Sequence, residues 1–152
     1  MASEIRVTIH GASDLAKRLR KFGVSVLDLT DSMDETGAYL TGFFSGEVFA
    51  SRGGVLGQPW ARLKESYAVE KAKQWPGRPP LIRTGLMNRS FKHDAGPMSV
   101  EVFNSDPKFH FHQEGTRRIP ARVMMDVDQR REAMIGRFIA KDIESKMRSA
   151  NV

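Results

Sequence analysis

The chain has 152 residues, about one domain's length, with 40% hydrophobic and 28% charged side chains, no cysteine and a formal net charge of +6. Without cysteine there are no disulfides and no thiol chemistry, which fits a reducing cytoplasm, and with no apolar run near 18 residues no transmembrane helix is expected. The first residues, MASEIRVTIH, have no basic start followed by an apolar stretch, so no secretory signal is expected either.

A chain of this length buries roughly two thirds of its unfolded surface in one core. Charge is unevenly spread. Residues 1–51 carry 5 basic and 7 acidic side chains, residues 52–92 carry 9 and 2, and residues 93–152 carry 10 and 9. The excess lies in the middle third, where it would meet phosphate or an acidic protein surface, or simply solvate one face.

Ile5, Val7 and Ile9 alternate with Arg6 and Thr8, the period of a half-buried strand. Ser13 stands where an N-cap would, ahead of Leu15, Leu19 and Phe22 at helical spacing, with Lys17, Arg18, Arg20 and Lys21 on the other face. Val26, Leu29, Met33, Gly37, Leu40, Phe44 and Val48 then step by threes and fours, which predicts a helix of roughly 36 Å. Phe43 and Phe49 widen its apolar stripe, so it is covered on two sides or faces a partner subunit.

Residues 51–60 and 75–83 are expected to be flexible loops, the first rich in glycine and the second containing WPGRPP. Trp60 and Leu63 would anchor the end of the first loop in the core, and a helix is expected over residues 61–74 between the two loops. Thr84 would cap a short helix carrying Leu86 and Met87. A turn at residues 95–97 leads into a strand with Met98, Val100 and Val102 on one face.

Residues 109–114 read as the end of a further strand, followed by a corner at Gly115 and Pro120 and then a strand through Val123, Met124 and Met125. Asp126 is a plausible N-cap, with Gln129 at the capping-box position, for a last helix over residues 127–147 with Ile135, Ile139, Ile143 and Met147 on its buried side. The order of elements gives an α+β domain: a small antiparallel β-sheet packed by a long helix and a C-terminal helix, with a long basic loop region. There is no internal repeat.

The sequence offers little catalytic chemistry. His110 and His112, spaced i and i+2, would point the same way on a strand and could ligate a metal with Asp106 or Glu114, though a structural or interface role suits them better. No G-x-S-x-G elbow surrounds a serine, and phosphate-cradling glycine motifs are absent, so no enzyme activity, metal or cofactor is expected.

Four short motifs occur in a distinctive order: GQPWARL at residues 57–63, Lys71, LIRTGLMNRSF at residues 81–91, and HQEGT with IPAR at residues 112–122. In that order they resemble the phage virion morphogenesis, or tail completion, family, over roughly residues 5–145. The chain departs from the family pattern in having Phe111 before His112, and Val123, Met124 and Met125 after Arg122.

The resemblance implies a non-enzymatic virion protein of a tailed bacteriophage. It would assemble as a homo-oligomeric ring, a hexamer, at the head-proximal end of the tail or the neck, and permit head–tail joining. Its implied partners are other copies of itself and the neck and tail proteins (tail tube or terminator, head connector), with non-specific contact to packaged DNA and none to membrane. It would be assembled in the bacterial host cytoplasm. The same resemblance makes His112, Gln113, Gly115, Ile119, Pro120 and Arg122 a corner for a subunit or neck contact. Arg78, Arg83 and Arg89 would face a lumen or a partner. The alternative is a small basic nucleic-acid-binding module.

Overall fold

In the computed structural model, the described residues are 4–10, 14, 17, 18, 20, 21 and 28–150. The domain is α+β, as the order of elements predicts. Strand β1 (Glu4–Thr8) is followed by helix α1 (Thr30–Phe43), which runs on through a π-helical segment, Phe44–Val48. Helix α2 (Glu65–Gln74), strands β2 (Phe91–Ala95) and β3 (Ser99–Asn104), helix α3 (Phe109–Glu114) and helix α4 (Gln129–Ser149) complete it. The antiparallel sheet has the order β1-β3-β2.

The central strand is the one whose apolar alternation is strictest. Val100 and Val102 are fully buried, and Arg6 on β1 bonds Glu101 on β3 at 2.7 Å, a cross-strand pair on the wet face. Strand β2 was not anticipated from the sequence. FKHDA contains no β-branched residue, and it is a strand because the turn closed by the Gly96 N–H to Ser99 carbonyl bond, 2.8 Å, folds it back beside β3.

Residues 109–114 form helix α3 rather than the expected strand end, and residues 120–128 hold no regular strand. The period-2 look of FHFHQE is a coincidence of six residues, too short for either periodicity to decide. Helix α2 likewise starts at Glu65, not near Ala61, and residues around Thr84–Met87 form turns, not a capped helix, with Leu86 57% exposed. The proposed apolar face of the first helix, Leu15, Leu19 and Phe22, lies outside the described residues.

The chain divides into two compact units. One comprises Arg6–Leu40, His93–Val102 and Val127–Val152. Its core is Leu29, fully buried, with Ile9, Met98, Ile139, Ile143 and Met147 packed on it, so the four-residue stripe read in the C-terminal helix is its buried face. Ser32 and Thr36, also buried, return their hydroxyls to the carbonyls of Leu29 and Ser32 at 3.0 and 2.7 Å, which satisfies them without breaking the helix. The N-cap of α4 is Asp128 and not Asp126. The Asp128 carboxylate accepts from the Arg131 N–H at 2.8 Å and pairs with the Arg131 guanidinium at 3.0 Å, while Asp126 accepts from Gln58 at 2.9 Å.

The other unit comprises Met1–Ile5, Thr41–Lys92 and Phe103–Asp126. Its core is aromatic. Phe91 stands within 5.7–6.3 Å, ring to ring, of Phe44, Phe49 and Phe109, and Phe49 meets the Trp60 ring edge-on at 5.2 Å. The π-helical segment makes this possible: i to i+5 pairing stacks Phe44 and Phe49 toward the same ring, so neighbours on both sides of the stripe are buried. Such ring pairs contribute about 0.5–1.5 kcal/mol each beyond the area they bury. Trp60 is a core anchor, its indole N–H donating to the Val123 carbonyl at 2.8 Å.

Candidate functional site

The aromatic-cored unit holds 13 basic and 7 acidic residues, whereas the other holds 11 and 11, so it carries the whole excess charge of the chain. Within it lies a cavity of about 610 Å³, bounded by α2, the turns at residues 81–87, residues 106–108 and the segment after α3. Seven lysine and arginine side chains line it, against one carboxylate, Asp106. Its remaining wall is largely apolar, from residues such as Leu63, Leu81, Met87 and Ile119.

Two of these cations are buried. Lys71 is 4% exposed and its ammonium donates to the Pro79 carbonyl at 2.6 Å; Arg122 is 5% exposed and its guanidinium donates to the carbonyls of Ala61 and Arg62 at 2.9 and 3.1 Å. Among the described residues neither forms an ion pair with a carboxylate. Burial, and then the charges of Arg122 and Arg83, hold the Lys71 ammonium below the ordinary lysine value, and burial lowers the Arg122 guanidinium too. Tyr67 and Lys71, four residues apart on α2, both face the cavity, so α2 turns one stripe toward it, and Leu63 joins them from the segment before the helix.

The corner after α3 is held from within. Gln113 is 7% exposed; its side-chain oxygen accepts from the N–H groups of Met124 and Met125 at 2.8 and 3.1 Å, and its amide donates to the Met125 carbonyl at 2.8 Å. A glutamine here does what a neighbouring strand would do for residues 124 and 125. The Arg122 N–H donates to the His112 carbonyl at 2.7 Å, and that of Thr116 to the Ile119 carbonyl at 2.8 Å. Gly115, at φ 77° and ψ 168°, lies where a Cβ would stand 2.8 Å from the Ala121 nitrogen. Only glycine suits that combination.

Of the six corner residues, Gln113 and Arg122 are turned inward, and His112, Ile119, Pro120 and Arg122 line the cavity. The three arginines Arg78, Arg83 and Arg89 have different surroundings. Arg83 lines the cavity and lies 5.0 Å over the Trp75 ring, Arg89 folds back on the carbonyls of Gly85 and Thr84 at 3.1 and 3.4 Å, and Arg78 is exposed and does not line the cavity. The flexible-loop segments contain ordered local bonds, such as the Trp60 N–H to the Arg52 carbonyl at 2.8 Å.

His110 and His112 do not share a face, because on a helix a spacing of two places them on different sides. His110 is exposed and His112 meets the cavity. Among the described residues no group of three histidine or carboxylate side chains is placed to hold a metal ion. The His112 Nδ1 atom is buried without a hydrogen-bond partner. Burial, with the Arg122 charge next, lowers the His112 pKa from the ordinary 6.5, against a smaller opposing effect of Asp106.

That shift has a definite sign. The unfolded chain takes up this proton first, so the neutral form's contribution to stability is complete above pH 6.5 and is lost as pH falls through 6.5 and below. Urea midpoints measured from pH 8 to pH 5 should therefore decline toward acid, and less so in His112→Gln. Identical slopes in the two proteins would refute this assignment.

The corner is legible in the sequence and the buried pair is not. Lys71 was legible only as one member of a motif order, and nothing local distinguishes it from Lys73, which is exposed. Compared with known family models, characterised proteins and solved structures, the chain finds no match. Among the described residues no helix is long and apolar enough to cross a membrane.

Proposed function

We propose that this is a structural virion protein of a tailed bacteriophage, assembling as a ring at the head-proximal end of the tail or in the neck, where it completes the tail for head joining. The observation that carries the reading is the convergence of the motif residues. Trp60, Lys71, Thr84 and Gly85, Gln113, Gly115 and Arg122, which come from four separate stretches of the resemblance, lie in one unit. Lys71, Thr84, Gly85 and Arg122 line one cavity there. Gln113 and Gly115 hold the corner that brings Arg122 to it. Shared use of one site is a physical reason for such motifs to occur together.

An assembly role also accommodates the charge of the site. Its two buried cations, Lys71 and Arg122, are held by backbone carbonyls, an arrangement suited to receiving an anion. Electron microscopy of lysates from the parent phage with this gene disrupted tests the proposal: complete heads and tails should lie unjoined, and normal infectious particles would refute it.

A second reading, a small nucleic-acid-binding module, is favoured by the concentration of positive charge in one unit. It predicts an affinity of the isolated protein for DNA or RNA that falls steeply with salt. Its absence would leave the assembly reading alone.

A further inference from the structure

From the cavity we infer that this protein binds a carboxylate-bearing peptide segment of a partner protein, seating the acidic side chain on Lys71 and Arg122 and its apolar neighbours against the walls. The buried cations lack a counter-charge among the described residues. Moving an ammonium or guanidinium out of water costs several kcal/mol, in order of magnitude, unless a counter-charge compensates it. Here two buried cations sit close enough for one to depress the other's proton affinity, Arg83 adds a third charge nearby, and the lining supplies one carboxylate among the described residues. Neutral carbonyls satisfy some of the donors but cancel no charge. A ligand carboxylate would do both, through charge-assisted bonds about twice as strong as neutral ones.

The shape of the site selects among anions. Its volume of about 610 Å³ falls in the ordinary range for ligand-binding clefts and admits a few residues of extended chain. A nucleic-acid duplex presents its phosphates on a broad convex surface and would leave buried cations untouched. The apolar wall, and the exposed rings and side chains of Tyr67 and Leu86 on the lining, have no partner in a phosphate backbone or a free phosphate ion. An acidic residue flanked by apolar ones matches both parts of the lining.

This inference deepens the assembly reading by naming the chemistry of the partner, and it is tested on the isolated full-length chain, so it can fail while head joining stands, or the reverse. The probe is the fluorescein-labelled heptapeptide Gly-Leu-Asp-Phe-Glu-Leu-Gly, blocked at its C-terminus, with its Asn and Gln counterpart as control. Fluorescence anisotropy should show the acidic peptide binding at least about tenfold more tightly than the amide control, a difference of about 1.4 kcal/mol. Lys71→Met, which keeps the apolar stem and removes the charge, should weaken binding about tenfold or more. Because Lys71 is an uncompensated cation in the free protein, Lys71→Met should unfold at a urea concentration no lower than the parent chain. Should Lys71→Met fail to fold, Arg83→Gln, at the exposed side of the cavity, should still weaken binding several-fold. No binding of the acidic peptide, equal binding of the amide control, binding unchanged in both variants, or displacement of the peptide by oligothymidylate or inorganic phosphate at lower concentration would each overturn the inference.

Discussion

Replacing Gln113 by leucine should lower the unfolding free energy by about 3–5 kcal/mol, since the two side chains are similar in size and the loss is one of hydrogen bonding. Gln113 is buried and makes three bonds to the backbone of Met124 and Met125. Leucine would leave two N–H groups and one carbonyl without partners in a place that water does not reach, and each such group costs about 1–3 kcal/mol. For a chain of this length that corresponds to a fall in melting temperature of roughly 10 °C. Urea unfolding at pH 7 would measure it, and an unchanged slope with a lower midpoint would show that stability changed and not the compactness of either state. A loss under 1 kcal/mol would mean that the corner finds other partners, and that the glutamine is not what holds it.

Gly115→Ala should cost about 2–4 kcal/mol, by a different mechanism. At φ 77° and ψ 168° the residue lies in a region that side chains other than hydrogen scarcely enter, worth about 1–3 kcal/mol on its own. The added Cβ would also stand 2.8 Å from the Ala121 nitrogen and 3.1 Å from the Ile119 oxygen, backbone atoms that cannot rotate away. Gly57 supplies the comparison: its φ of 70° comes with a ψ of 16°, the left-handed helical region that other residues enter at about 1–2 kcal/mol, and nothing lies within 4 Å of a Cβ built there. Gly57→Ala should therefore cost less than Gly115→Ala, which adds a backbone region closed to other residues and a close approach to backbone atoms. If the two substitutions cost the same, neither effect is felt in solution. Since Ile119, Pro120 and Arg122 reach the cavity from this corner, Gly115→Ala should also weaken whatever the cavity binds, even where the protein still folds.

Both predictions concern positions read from the sequence as a corner, yet for different reasons than those that make them sensitive. As letters, Gln113 and Gly115 belong to a motif whose resemblance suggests a contact with other subunits. In the fold Gln113 is an internal strut, and the outward contribution of the motif falls to His112, Ile119 and Pro120 at the cavity wall. A motif can thus shape a cavity by holding its frame.

What the sequence by itself determined is what local periodicity can carry. The stripe from Leu29 through Met33, Leu40, Phe44 and Val48 is fully buried, and the stripe of Ile135, Ile139, Ile143 and Met147 faces a core. Alternation likewise placed β1 and β3, because burial of one face imposes a repeat of 3.6 or 2 on successive residues and that repeat survives in the letters. The concentration of charge in the middle of the chain was legible as well.

The tertiary structure alone decided the rest, and in each case the deciding partner is distant in sequence or the segment is too short to have a period. Strand β2 exists through its pairing with β3, and α3 spans six residues whose alternating aromatic and imidazole rings look like a strand. The burial of Arg122 depends on carbonyls at Ala61 and Arg62, sixty and more residues away. No pattern around Arg122 announces those partners. A buried charge is set by where the chain brings its neighbours, and that is a property of the fold rather than of any stretch of it.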